Sequence, residues 1–379
     1  MSNVFSSSLE FIFPFKIEKR PSDSKLMSYL SPLIAIVFTL ISGAFLFLSL
    51  GVDPSTALYT FFIMPLTDVY GWTELGIKVA PLLLCATGLT LCFKAKIWNI
   101  GAEGQFIMGA LGGGAMALQF LESDSSWVLI PILMAGMLSG LAWAGLAALL
   151  KTHFKANEIL TTIMLNYIAL NALLYFVHGP LKDPNGFNFP QSALFSDSSL
   201  LPLLSADYRL NISLLFGLFA LVVIWALMSR SWIGYQINVL GEDSAAARYA
   251  GFKEKTLTWF ALLTCGALAG LAGVSEVTGP VGQLIPHVSP GYGYAAIIVV
   301  FLGRMQPVGI LLASMLLALT YMGGEMVQME MTLPKSLTGL FQGMLLFFLL
   351  ATDLLISYRI IRIKKSNVPS DKAITVSQG

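Results

Sequence analysis

The segment Ile97-Trp98-Asn99-Ile100-Gly101-Ala102-Glu103-Gly104-Gln105 concentrates hydrogen-bonding groups in an otherwise apolar chain. Two glycines bracket an acidic residue. Gly101 and Gly104 weaken helix, so the backbone there can turn or unwind. Irregular backbone at membrane depth is tolerated only beside protein or a water-filled cavity. Asn99, Glu103 and Gln105 therefore either border a pathway or form the polar cap of a plain inner loop, and the residue types allow both. Asn157, Glu158, Asn166 and Asn171 form a second cluster. Asn157 and Glu158 read as a helix start. Asn166 then stands about 13 Å further along the axis, where it must bond to another helix or to water. Packing between helices is the expected role, and lining a pathway the alternative. In the third stretch, Gly241 to Gly251, the residues Glu242, Asp243, Arg248 and Tyr249 flank Ala245-Ala246-Ala247. Alanine is the best helix former, Asp243 or Ser244 can cap the start, and Gly251 is a stop signal. A short helix outside the bilayer is expected. At about two turns it is marginal alone and needs a docking partner; a solvated connector is the alternative.

None of this is set up for covalent chemistry. The chain has no GxxxxGK(S/T) phosphate loop, so no ATP site is expected. HExxH, CxxC and GxSxG are also missing. His153, His178 and His287 are scattered over different loops, so no metal site and no cofactor are expected. Cys85, Cys92 and Cys265 fall inside apolar runs, against a disulfide framework. Charge within the spans is sparse. Lys78, one turn into its helix, is expected to snorkel outward, and Asp353 lies near a helix end. A proton relay or voltage sensor would show more. No enzyme activity is expected.

The elements that must position these groups follow from composition. Of 379 residues, 56% are hydrophobic and 11% charged, against roughly 25% charged in a soluble domain. The apolar residues come in unbroken runs of about 20, the length of a bilayer-spanning helix. The expected fold is all-α, a polytopic transmembrane bundle. Spans are expected near residues 28–50, 75–93, 103–120, 127–150, 156–177, 212–229, 257–278, 291–303, 306–325 and 336–358. The eighth is short, about 20 Å by helix rise against a core of ~30 Å. Residues 1–27 and 359–379 are expected to be cytoplasmic tails around a 28–358 transmembrane domain, and no signal peptide is read. All but Lys78, Lys182, Arg209 and Lys335 of the 22 Lys and Arg residues fall in the tails or in alternate loops. The positive-inside rule then puts both termini inside. Net charge is +1, which gives no electrostatic case for nucleic acid. Gly109 with Gly113, Gly136 with Gly140, and Gly266 with Gly270 recur four apart, the mark of closely packed helices in lipid.

The words KAKIWNIGAEGQF (94–106), NEILTTIMLNYIA (157–169), GEDSAAARYAGF (241–252), SPGYGYAAI and FLGRMQPVGI (both within 289–310) carry a resemblance. The chain resembles permease subunits of bacterial ABC importers in the branched-chain amino acid and simple-sugar family, most closely the nucleoside or general simple-sugar branch. The resemblance implies several partners: an ABC ATPase subunit, a second and different permease subunit, an external substrate-binding protein and the surrounding lipid. It implies the cytoplasmic (inner) membrane as location. It makes Gly241 to Gly251 the ATPase-coupling loop. The family commonly has Asn-Pro-Arg after Gly-Glu; Asp243-Ser244-Ala245 here exchanges a basic contact for an acidic one. A stand-alone carrier or channel is the alternative, and it would need an ion site, filter or gating charge that the sequence does not display.

Overall fold

The computed structural model describes residues 15–20, 24–186, 188–205 and 207–362. Much of the two expected tails, residues 1–14, 21–23 and 363–379, lies outside the described residues. Helices form at all ten expected places: α1 (Lys25–Ser49), α3 (Val69–Lys94), α4 (Ala102–Ala117), α5 (Leu129–Phe154), α6 (Glu158–His178), α7 (Ser213–Arg230), α10 (Glu254–Glu276), α11 (Tyr292–Leu302), α12 (Pro307–Met331) and α13 (Ser336–Ser357). Eight of them are long and apolar enough to cross a membrane. The other two, α4 and α11, have 16 and 11 residues. The chain is a multi-pass, mostly helical membrane protein.

Among the described residues there are three shorter α-helices: α2 (Pro54–Phe62), α8 (Trp232–Glu242) and α9 (Ser244–Tyr249). Their starts follow local chemistry. Asp53 accepts the Thr56 amide at 2.9 Å with Pro54 at the first helical position, and Ser231 accepts the Gly234 amide at 3.1 Å. Each cap satisfies a donor that the helix leaves orphaned. The same device makes α3 begin at Val69 rather than at residue 75. Asp68 accepts the Gly71 amide at 2.8 Å and sets the start.

The chain divides into two compact units. The first takes residues up to Ser42 and from Met344 onward. In it, strand β1 (Phe15–Lys19) pairs antiparallel with β4 (Tyr358–Arg362). The Ser31 hydroxyl donates to Asp353 at 2.8 Å, and Phe38 packs on Phe348 with ring centroids 5.6 Å apart.

The second unit, Gly43–Gly343, holds everything else. Here α3 is buried along nearly its whole length, so it acts as the central post. Against it stands a three-helix contact of α4, α5 and α10. A Cβ on Gly109 would lie 2.3 Å from the Gly270 Cα, and one on Gly140 would lie 2.4 Å from the Gly266 carbonyl oxygen. Backbones touch, as the glycine spacing implied, and dispersion replaces the hydrophobic drive that lipid removes. The outward faces of α5, α6 and α7 carry Leu138, Met164, Phe219 and Val222, all exposed, as a lipid-facing surface requires. The long connection after α6 contains a hairpin, β2 (Leu203–Ser205) and β3 (Tyr208–Asn211). It lies over the end of α10: the Phe195 amide bonds to the Gly282 carbonyl at 2.9 Å and the Leu201 amide to the Thr278 carbonyl at 2.8 Å.

Candidate functional site

Residues 95–101, between α3 and α4, are irregular, and all but Lys96, Trp98 and Ile100 are buried. Asn99 and Gln105 are fully buried. The Asn99 carbonyl oxygen accepts the Gly101 amide at 2.9 Å, and its amide nitrogen sits 3.3 Å from the Cys265 sulfur at the middle of α10. Gln105 faces Asn99 at 3.4 Å in both directions. Asn166 fixes the depth. Its carbonyl oxygen accepts the Gly104 amide at 2.9 Å, while its amide donates to the Ile100 carbonyl at 2.8 Å and the Tyr294 hydroxyl at 3.1 Å. Asn166 lies eight residues along α6 from its start at Glu158, which is about 12 Å. α4 therefore starts well inside the bundle instead of at its surface. The buried polar backbone is tolerated because Asn99, Thr162 and Asn166 satisfy it. Asn157 caps α6 through the Ile159 amide at 2.9 Å, and Asn171 bonds back to its own helix at Tyr167.

Glu103 is drawn into a contact between two helices. Its carboxylate is buried and accepts the Gly293 amide at 2.8 Å. The Tyr294 amide and the Ser289 hydroxyl face the same carboxylate. It caps a different helix, α11, whose own N-cap position is Gly291 in the left-handed region at φ 101°. The starts of α4 and α11 meet there: a Cβ on Gly293 would lie 2.3 Å from the Glu103 amide nitrogen. Two helix N-termini converge on one carboxylate, the sign that helix dipoles favour.

From Glu103 a line of polar groups runs toward the far ends of α10 and α12. Tyr292 packs on Phe106 (6.0 Å) and on Tyr321 (5.2 Å). Beyond it, Lys78 donates to Glu325 at 2.8 Å, and Arg209 lies 3.7 Å from Glu74. Lys78 thus corrects the snorkelling expectation. Because α3 starts at Val69, Lys78 is about 13 Å along it, and its ammonium is held by a carboxylate of α12. Sequence reasoning missed Glu276 and Glu325 altogether. Their only signal was an acidic residue near the end of a long apolar helix, and the cation that answers Glu325 is 247 positions away.

At the other end of the bundle, α9 forms as expected. Asp243 accepts the Ala245 amide at 2.8 Å, and Gly251, at φ 80°, ends the turn. Ala247 is fully buried, whereas Glu242, Asp243, Ala245, Ala246 and Arg248 face outward and Tyr249 is 97% exposed. This loop rests on the irregular segment. A Cβ on Gly241 would lie 1.8 Å from the Lys94 carbonyl oxygen, and the Lys96 ammonium donates to the Glu242 carbonyl at 3.2 Å. A cavity of about 240 Å³ beside this contact is lined in part by Lys96, Ile97, Lys151, Gly241, Glu242 and Glu254. A second cavity, about 270 Å³, is lined in part by Thr87, Thr90, Lys94, Asn238 and Gln306 and shares no residue with the Glu103 region. Among the described residues no group of three or more His, Cys, Asp or Glu is placed to hold a metal.

Residues 72–350 match the family described as branched-chain amino acid transport system / permease component. The glucose ABC transporter permease protein of Haloferax volcanii is 33% identical over 347 residues, covering 88% of this chain and 90% of that protein. The nucleoside ABC transporter permease protein of Lactococcus lactis is 27% identical, over 86% of this chain and 92% of its own length. The guanosine ABC transporter permease protein of Bacillus subtilis is also 27% identical, over 86% and 93%.

Proposed function

The chain belongs to the branched-chain amino acid transport system permease family, the membrane subunits of ABC importers, and on that premise we propose that it passes a nucleoside or a related sugar inward. The solute arrives from an external binding protein. Energy comes from a separate ATPase, and a second, different permease subunit completes the pathway. The basic end of the bundle faces the cytoplasm, with the tails 1–27 and 359–379 on the same side, and the setting is a bacterial cytoplasmic membrane. Glucose, nucleosides and guanosine name the relatives' solutes. All are neutral and rich in hydroxyls.

The observation that carries the reading is the seat of the α9 loop on residues 94–96. Gly241 against Lys94, and Lys96 on Glu242, join an exposed two-turn helix to the backbone that leads to Asn99 and Glu103. An ATPase that grips Glu242, Asp243, Ala245, Ala246, Arg248 and Tyr249 pulls on that backbone. The motion reaches the Asn99–Gln105 contact and then the Glu103 cap on α11. Asn166 is a positioning residue that holds Ile100 and Gly104 while this happens. Two arrangements of the 95–105 segment, each favoured by a different bound partner, give alternating access.

The test is uptake of labelled guanosine and labelled glucose by cells expressing the four subunits. Uptake of at least one solute that vanishes when the ATPase subunit is omitted is expected. Uptake that persists with this chain alone would establish the stand-alone carrier instead.

A further inference from the structure

The cavity of about 270 Å³ beside the end of α3 is lined by two polar groups that the described residues leave without partners. The first is the Thr87 hydroxyl. Thr87 is 1% exposed, and its side-chain oxygen has no hydrogen-bond partner. A buried helical threonine commonly turns its hydroxyl back to the carbonyl four residues earlier, as Thr90 does to Ala86 at 2.9 Å and Thr152 to Ala148 at 2.7 Å. Thr87 does not, and it lines the cavity. Buried polar atoms are almost always satisfied, so an orphaned hydroxyl on a cavity wall calls for a partner from outside the chain. The second group is the Lys94 ammonium. Lys94 is partly buried and lines the same cavity, and among the described residues its ammonium takes part in no hydrogen bond and no ion pair. An enclosed charge without a counter-ion is costly.

The cavity has a polar end and an apolar end. Asn238 and Gln306, both exposed, line it together with Lys94 at the outer end. Leu221 and Ile224, both buried, wall the inner end with Thr87, which lies seven residues before Lys94 on α3, about 10 Å by helix rise. Trp225 forms an edge of the cavity and is 47% exposed. It follows Phe219 and Val222 at three-residue steps, so it shares their lipid-facing stripe of α7. Tryptophan is characteristic of the membrane–water boundary. The polar end therefore opens at the level of the lipid headgroups, at the basic end of the bundle. Ligand pockets generally enclose about 300–1,000 Å³. A smaller one fits a molecule that is seated by its head and leaves its remainder in the bilayer.

We propose that this cavity binds an anionic phospholipid of the inner leaflet. The lipid phosphate pairs with Lys94, with Asn238 and Gln306 beside it. An ester carbonyl accepts the Thr87 hydroxyl, and an acyl chain follows α7 past Leu221 and Ile224. Anionic lipids of the cytoplasmic leaflet are drawn to basic sites of this kind between helices. The position gives the lipid a hold on the coupling loop. Lys94 ends α3, and its carbonyl oxygen is the atom on which Gly241 rests. Asn238 belongs to α8, three residues before Gly241. A lipid bound to both ties α3 to α8 at the seat of the α9 loop. The resulting effect on ATP hydrolysis rests on the permease reading; the binding itself does not.

The full transporter tests this in two steps. The first reads how much labelled phosphatidylglycerol the purified complex retains against phosphatidylcholine micelles. The second reads ATP hydrolysis per complex in phosphatidylcholine vesicles with and without phosphatidylglycerol. K94Q should weaken retention about tenfold, the effect of one lost charged contact, and K94R should restore most of it. T87V keeps the shape and removes the hydroxyl, and a loss of about threefold is expected. Hydrolysis by the wild type should rise with phosphatidylglycerol, and that of K94Q should not. Equal retention in wild type, K94Q and T87V would overturn the site. Equal retention of labelled phosphatidylcholine would overturn its selection of an anionic head. Displacement of the label by soluble glycerol 3-phosphate would assign the cavity to a dissolved phosphate compound instead. Loss of the ATPase from K94Q, with lipid retention unchanged, would assign Lys94 to a partner subunit. Hydrolysis that ignores the lipid while retention behaves as expected would support the site and overturn its hold on coupling, and the permease reading stands in either case.

Discussion

The α4–α5–α10 contact and the Asn99–Glu103–Gly293 contact lie in the same unit and are held by opposite means. In the first, Gly109, Gly140 and Gly270 bring three backbones into direct contact, while Gly136 and Gly266 make room for the Val274 side chain and the Ala144 methyl group. Nothing there can rotate or exchange a partner, so the contact has one arrangement. In the second, the bonds run from Asn99, Glu103 and Asn166 to backbone groups on other segments. Bonds of this kind break and re-form when a side chain rotates. A transporter needs both kinds, because a rigid frame lets a small shift in an exchangeable contact become a change of access. Packed cores resist deformation and hydrogen-bond networks can switch.

That contrast predicts a ranking of damage. Gly270→Leu should be the most severe. Its Cβ would lie 2.5 Å from the Gly136 carbonyl oxygen and 3.0 Å from the Gly140 Cα, and overpacking a site with no slack costs about 3 kcal/mol or more. The yield of detergent-stable protein should collapse; a normal yield would mean the frame is not rigid. Glu103→Ala comes next. It strands the Gly293 amide in a buried site, at about 1–3 kcal/mol. Folded protein should still be recovered, with uptake per complex strongly reduced. Full uptake per complex would leave Glu103 a cap and nothing more. Lys151→Met should do least. Lys151 pairs with Glu158 at 2.7 Å, but both side chains keep about a fifth of their exposure, and such pairs contribute below about 1 kcal/mol. A melting shift as large as that of Glu103→Ala would show that the basic end belongs to the frame.

The elements were legible in the sequence because their causes are local. Apolar run length gave the spans, glycines four apart gave close helix packing without saying which helices meet, and Asp243 with Gly251 bounded α9. What escaped was set by distant partners. The start of α4 is fixed at depth by Asn166, 62 positions from Gly104. The donor that Glu103 satisfies is 190 positions away. Glu325 reads as an isolated acid until the folded α3 brings Lys78 to it. The caps at Asp53 and Asp68 were readable and account for α2 and for the early start of α3.

The central claim, that ATP-derived motion enters through α9, is tested most directly by Ala246→Trp in the complex with its ATPase. Ala246 faces outward and Ala247 carries the contact with the bundle, so folding and membrane insertion should survive. Asn185→Trp, an exposed position in the connection after α6, is the matched control. The expected result is loss of ATPase co-purification and of solute-stimulated ATP hydrolysis in Ala246→Trp, with both retained in Asn185→Trp. Normal ATPase binding and coupled hydrolysis in Ala246→Trp would contradict the account.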